Sequence, residues 1–348
     1  MSTPAGAPQR VLLIQLQQLG DALLTSALLE DLREALPSSQ IDFLTRAPGA
    51  RLLAGNPHAS ELVVYDAEHP IRMLRTIRSR GYELVIDTQS SPRSAPVVLA
   101  SGARRRVGYA ISGPWRLVYT DRVPRDLDPP YFMVKDRQRL VRQAGLPTRE
   151  RRLRLYLTPE ERAQGQCDLE ALGVPAGRRV GMVLSAGSPT SVWPAERFAE
   201  LAGRLAAEGY APVVIRSKGD DEAIARCRAL TDAVWVAEGG DLRRFLGLLA
   251  ALDLMIGGDS GPAKMAAALD VPTVTLYGPT HAKHWDPGLP ITVAVSSPRA
   301  TCVGCARNMR RKAPEHTCML EIDVDAVLDG VRRLLPAAPR PGTPGVIA

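Results

Sequence analysis

Ile256-Gly-Gly-Asp-Ser-Gly-Pro-Ala-Lys-Met-Ala-Ala-Ala-Leu269, followed by Val274-Thr-Leu-Tyr-Gly-Pro-Thr280, is the stretch that decides how this chain is read. Leu252 to Ile256 is an apolar run suited to a buried strand. Gly257-Gly258-Asp259-Ser260-Gly261 is a turn, and Pro262 opens a helix that runs to Leu269. Proline suits the first helical turn because its missing N–H would go unpaired there. Ser260 or Asp259 can cap that helix. Strand, glycine turn and helix N-terminus together offer free N–H groups and the positive end of a dipole, a combination that holds phosphate. A well-capped α/β turn that binds nothing accounts for these residues equally well.

The same alternation extends in both directions. In the first half, strands are predicted at Val11–Leu16, Ile41–Thr45, Leu62–Tyr65, Leu84–Asp87 and Arg106–Tyr109. Helices are predicted at Asp21–Leu36, Ile71–Arg80, Ala95–Ala100 and Pro129–Ala144. Arg149–Leu157 is extended and charged and reads as a linker. The second half restarts with strands at Val180–Leu184, Ala211–Arg216, Val234–Ala237 and Thr273–Leu276. Helices are predicted at Ala195–Glu208, Asp220–Leu230, Asp241–Ala250 and Asp323–Leu335. Short strands alternating with helices imply parallel sheets covered on both faces. Two such series imply two doubly wound domains, with ligands beyond the strand C-termini.

The chain has 348 residues, 45% of them hydrophobic and 23% charged, as expected for a soluble globular protein with two cores. No apolar run approaches the roughly 20 residues that span a bilayer. The lead Met1–Arg10 has no apolar signal core, which points to the cytoplasm. Five cysteines suggest no disulfide framework. The net charge of +7 is uneven: residues 1–157 carry 23 Lys and Arg against 15 Asp and Glu, and residues 158–348 carry 21 against 22. Arg72, Arg75, Arg78 and Arg80, then Arg104-Arg105-Arg106, concentrate the excess. They form either an ordinary solvated surface or a site for an acidic partner such as an anionic glycan or membrane surface. Nucleic acid is disfavoured by an aromatic content of only 5% and the lack of any known module.

Four landmarks resemble glycosyltransferase family 9, which contains the ADP-heptose:lipopolysaccharide heptosyltransferases. They are Val11 to Thr25 with its Gly20-Asp21 turn; Ile86-Asp-Thr-Gln89 with Arg93-Ser-Ala95 and Gly102 to Tyr109; Val192-Trp-Pro-Ala-Glu-Arg-Phe198; and the opening motif with Tyr277-Gly-Pro-Thr280. The resemblance runs from about Val11 to about Leu335. It implies a GT-B fold, an α/β arrangement of two Rossmann-like doubly wound domains facing a central cleft. Residues 1–157 would bind acceptor, joined by the C-terminal helix 323–335. Residues 158–322 would bind nucleotide-sugar, and 336–348 would be a flexible tail. The implied reaction is inverting and metal-independent, with no cofactor beyond a nucleotide-sugar co-substrate such as ADP-heptose. The acceptor would be a lipopolysaccharide core or similar anionic glycan, met by peripheral contact at the inner face of the cytoplasmic membrane.

The resemblance makes Asp21 the base that takes the acceptor proton; by position alone, Asp21 could equally just stabilise its helix N-terminus. Ser188, Thr190, Asp259, Ser260, Gly261 and Lys264 fall on the donor site. Asp221, or its neighbour Glu222, falls where the family has a ribose-binding acid. Arg72, Arg75, Arg78, Arg93 and Arg105 are candidates for acceptor binding. Three positions depart from the family pattern: Lys264 where histidine is usual, Ser191 where lysine is usual, and Gln15 where a basic residue is usual. Lys264 can supply the cation that Ser191 lacks. Cys302, Cys305, His316 and Cys318 could hold a metal, although the distal spacing is not standard and basic residues surround them. Rival readings are a GT-B sugar-nucleotide epimerase, for which no carboxylate set is evident, and a non-catalytic nucleotide-sugar-binding homologue. A Rossmann oxidoreductase is disfavoured because Leu16-Gln-Gln-Leu-Gly-Asp21 is not G-x-G-x-x-G.

Overall fold

The apolar runs become strands of two parallel sheets. A computed structural model of the protein describes residues 7–124, 133–217, 219–297 and 317–336. The first sheet holds β1 (Arg10–Ile14), β2 (Gln40–Thr45), β3 (Glu61–Val64), β4 (Leu84–Asp87), β5 (Arg105–Tyr109) and β6 (Asp121–Val123), in the order β3-β2-β1-β4-β5-β6. The second holds β7 (Arg179–Val183), β8 (Ala211–Arg216), β9 (Trp235–Glu238), β10 (Leu254–Gly258), β11 (Thr273–Tyr277) and β12 (Thr292–Ser296), in the order β12-β11-β10-β7-β8-β9. The central strands are continuous apolar runs with almost no exposure, as strands covered on both faces must be.

The first-half helices are α1 (Leu19–Ala35), α2 (Ala47–Leu52), α3 (Pro70–Ser79), α4 (Ala95–Ser101) and α5 (Met133–Gln143). The second half holds α6 (Pro159–Ala171), α7 (Ala195–Ala207), α8 (Asp221–Leu230), α9 (Leu242–Ala250), α10 (Gly261–Ala268), α11 (Ala282–Trp285), α12 (Thr317–Leu320) and α13 (Val324–Leu334). The chain divides into two compact units, Met1–Pro159 with Lys283–Pro287, and Glu160–Ala282 with Gly288–Ala348.

That division corrects the expected place of the last helix. α13 does not join the first domain. It buries Val324, Val327, Leu328 and Val331, an i, i+3, i+4, i+7 stripe, in the core of the second sheet beside Val274 and Leu276. Arg332 of α13 pairs with Glu208, and Tyr210 donates to the carbonyl of Leu335 at 2.6 Å. The expected linker is also tied down. Leu153 and Leu155 are buried, and Arg151 bridges Glu30, Asp31 and Glu34 of α1 at 2.8, 2.8 and 2.6 Å.

Candidate active site

Each sheet has one topological switch point, the place where successive connections depart in opposite directions. In the first sheet it lies between β1, whose connection leads to β2, and β4, whose connection leads to β5. In the second it lies between β7 and β10. The crevice beyond the strand C-termini at such a point is where α/β sheets bind ligands. Sequence-predicted residues stand at both.

At the first switch point the loops after β1 and β4 are bonded to each other. Gln15 is buried, and its amide donates to Thr88 Oγ1 at 3.0 Å. Leu16 N–H donates to Gln89 Oε1 at 3.1 Å. A neutral amide here serves a buried hydrogen-bond network, which a cationic side chain would charge. Asp87 organises the second loop: its Oδ1 accepts from the N–H groups of Gln89 and Ser90, and its Oδ2 from the Tyr119 hydroxyl at 2.6 Å. Burial pushes the Asp87 carboxyl above its usual range, against the pull of those donors.

Asp21 lies in the first turn of α1, whose N-cap position is Gln18, and no side chain caps the helix. The Asp21 carboxylate is held instead by Arg137 of α5. Arg137 Nη2 donates to Asp21 Oδ1 at 2.5 Å and Nη1 donates to the Asp21 carbonyl at 2.9 Å. The arginine side chain is 5% exposed and the aspartate 26%. Among the described residues nothing donates to Asp21 Oδ2. Arg137 was not singled out in the sequence, although a signal existed. Val134, Arg137, Gln138 and Val141 form the buried stripe of α5, so two polar residues occupy core positions. Gln138 bonds Asp31 of α1 at 2.8 Å, and Asp136 accepts from the Tyr109 hydroxyl at 2.5 Å.

At the second switch point, Ser188 and Thr190 follow β7, and their hydroxyls bond each other at 2.8 Å. Asp259, Ser260 and Gly261 follow β10. Backbones approach closely here: a Cβ added at Gly258 would lie 2.9 Å from the carbonyl oxygen of Ser191. Ser260 takes the N-cap position of α10 but its side chain makes no cap bond, so the first turn of that helix keeps its N–H groups. Asp259 does not cap either; its carboxylate pairs with Lys264 Nζ, and both side chains are nearly buried. Ser260 Oγ and Thr280 Oγ1 are buried hydroxyls without a hydrogen-bond partner among the described residues. Uncapped N–H groups, two unpartnered hydroxyls and an ammonium suit a ligand rich in anionic oxygen. Asp221 starts α8 beyond β8, is 79% exposed and pairs with Arg216.

Two landmarks prove structural. Trp193 is buried edge-on against Phe198, ring centroids 4.8 Å apart, and donates to the Ile322 carbonyl at 2.9 Å. Gly278 of Tyr277-Gly-Pro-Thr280 receives α12: a Cβ there would meet Met319 Sδ at 2.4 Å and Cys318 Sγ at 3.2 Å. Cys318 is thus packed in the core. Cys302, Cys305 and His316 lie outside the described residues, among which no group of three His, Cys, Asp or Glu side chains could hold a metal.

The arginines are not equivalent. Arg75, Arg78 and Arg93 are exposed. Arg72 is exposed but donates to Asp66 at 2.6 Å, holding that carboxyl down at about 2. Arg105 is committed elsewhere: it donates to the Gln143 and Ala144 carbonyls at the end of α5, at 3.0 and 2.9 Å, and to Asp121 at 3.2 Å. A cation on C-terminal helix carbonyls stabilises the helix end. Arg106 likewise donates to the Val118 and Ala103 carbonyls.

The profile of glycosyltransferase family 9 (heptosyltransferase) matches residues 71–317, more than half of the chain. The chain belongs to this family. It is a glycosyltransferase, and its paired sheets are those of the GT-B fold. Lipopolysaccharide heptosyltransferase 1 of Escherichia coli O18:K1:H7 is 24% identical over 302 residues, covering 80% of this chain and 87% of that protein. A crystal structure of a family 9 glycosyltransferase from Veillonella parvula superposes with a TM-score of 0.80 at 22% identity, covering 94% of this chain and 97% of the other. The structure of E. coli ADP-heptose lps heptosyltransferase II gives 0.77 at 24% identity, covering 94% and 98%. No described helix is long and apolar enough to cross a membrane.

Proposed function

We propose that this family 9 glycosyltransferase moves a heptose from ADP-heptose to a lipopolysaccharide core or similar anionic glycan, with inversion and without a metal, in the cytoplasm. The observation that carries the proposal is the chemistry at the two switch points. The first presents a carboxylate with one oxygen unpartnered among the described residues, and the second presents an uncapped helix end with Lys264. The acceptor oxygen attacks the anomeric carbon as its proton passes to Asp21, and the bond from that carbon to the diphosphate breaks with its electron pair leaving on ADP. Lys264 and the first turn of α10 receive the charge that develops on the diphosphate. Ser188 and Thr190 complete the phosphate contacts, with Gly261 admitting the backbone approach. Asp221 takes the ribose. The lipopolysaccharide heptosyltransferases among the relatives support the sugar and the acceptor.

Thermal shift tests the donor. ADP-heptose and ADP are expected to raise the melting temperature more than UDP or UDP-sugars at equal concentration, because stabilisation follows ligand affinity. Preference for a uridine nucleotide would overturn ADP-heptose as the donor.

Acceptor capture is assigned to Arg72, Arg75, Arg78 and Arg93, with Arg104 in place of the committed Arg105. This basic surface also suits the anionic inner face of the cytoplasmic membrane. Its reach should shrink with the Debye length, about 10 Å at 0.1 M salt. Acceptor KM is therefore expected to rise with salt in the wild type and to lose that dependence in Arg75→Ala/Arg78→Ala, while donor KM changes little. A wild-type acceptor KM that ignores salt would make the arginines an ordinary solvated face.

A further inference from the structure

Arg137 is a buried cation far from Asp21 in sequence, yet among the described residues both bonds of its guanidinium go to that one residue. One arm of the guanidinium takes Asp21 Oδ1 at 2.5 Å and the other takes the Asp21 main-chain carbonyl at 2.9 Å. A planar fork on two atoms of one residue fixes the direction of the carboxylate as well as its position. The carboxylate has an alternative. At the start of an uncapped helix it could fold back onto the free N–H groups of the first turn. It makes no such bond, and among the described residues nothing donates to Oδ2.

The fork is itself held. Asp136, Arg137 and Gln138 are consecutive and nearly fully buried, and each bonds a different residue: Tyr109 at the end of β5, Asp21 at the start of α1, and Asp31 farther along α1. Such an arrangement costs desolvation that an apolar contact between α1 and α5 would avoid. Holding a reactive group to within a fraction of an ångström through a locked neighbour is what it gains in return.

We infer that Arg137 is a positioning residue for transfer: it aims Asp21 Oδ2 at the acceptor hydroxyl while taking no part in proton transfer itself. The inference rests on the proposed role of Asp21 as base. It separates Arg137 from the exposed arginines, which are assigned to acceptor capture.

The test uses the full chain with ADP-heptose and a lipopolysaccharide core lacking heptose. Arg137→Ala should lower kcat on the order of 10²-fold, the scale that misplacement of a catalytic group produces, with both KM values within about threefold. Guanidinium at tens of millimolar should restore at least about tenfold of that loss by refilling the vacated site, and should do nothing for Asp21→Asn. Arg137→Lys, which retains the charge but not the fork, provides a second variant should the alanine protein fail to fold; it should lose at least about tenfold in kcat. An Arg137→Lys protein with wild-type kcat overturns the inference, as does a folded Arg137→Ala protein that guanidinium does not rescue. Full activity in Asp21→Asn would instead overturn the base, and absence of turnover in the wild type would overturn the proposed substrates.

Discussion

Asp21→Asn is expected to lower turnover by about 10²–10⁴-fold, the range that a general base contributes, while leaving donor affinity and melting temperature near wild type. Asparagine is the informative substitution because of the way Asp21 is held. Its Oδ1 can still accept from Arg137 Nη2, and its main-chain carbonyl still accepts from Nη1. Oδ2 changes from a proton acceptor to an N–H donor, and the negative charge is lost while the acceptor geometry stays. Asp21→Ala would mix two effects, because it would also take from a guanidinium that is 5% exposed the hydrogen-bond acceptor that asparagine keeps. Removing one partner of a buried pair costs about 3–5 kcal/mol. The measurements are kcat with saturating donor and acceptor, and a thermal melt of the same preparation. Wild-type turnover in a folded Asp21→Asn protein would remove Asp21 from the chemistry.

The residues that could be read from the sequence are those whose neighbours in the chain explain them. Val11 to Ile14 and Leu254 to Ile256 are uninterrupted apolar runs ending in turns, so both strands and both switch-point loops were legible. So was the placement of Asp21 at the start of one helix and of Asp259 to Lys264 across the turn into another. What could not be read depends on partners distant in sequence. The Val324, Val327, Leu328, Val331 stripe announces a buried face but not the sheet it covers; only the second core, with Val274 and Leu276, answers that. Pro159–Ala171 buries only Gly165 and Leu169, so it carries almost no periodic signal and was missed as a helix. Arg105 and Arg106 read as part of a basic run, yet their carbonyl partners at the end of α5 and in the loop before β6 remove them from it. Arg137 lies between these cases. Polar residues at core positions of an amphipathic helix are visible in sequence, but nothing local says that the partner is Asp21.

Lys264→Ala is expected to weaken ADP binding by about 10–100-fold, the loss of one charge-assisted hydrogen bond of about 1.5–3 kcal/mol, while adenosine affinity changes by less than about threefold. The difference follows from the proposed role of Lys264, in which it meets the diphosphate and not the nucleoside. The structure adds a second contribution. Lys264 is paired with Asp259, and the two side chains are only 12% and 6% exposed. Alanine at position 264 would leave that carboxylate uncompensated beside the incoming diphosphate, and like charges in a partly buried site repel strongly. Two separate causes can then be told apart with one further variant. Replacing both residues, Lys264→Met with Asp259→Asn, removes the cation and the carboxylate it compensates together. It should bind ADP better than Lys264→Ala alone, though less well than wild type. Isothermal titration with ADP and adenosine reads all of these. Equal losses for ADP and adenosine in Lys264→Ala would show that Lys264 supports the turn through Asp259 and does not touch the phosphates. An unimproved double variant would show instead that Asp259 does not oppose the diphosphate once its cation is gone.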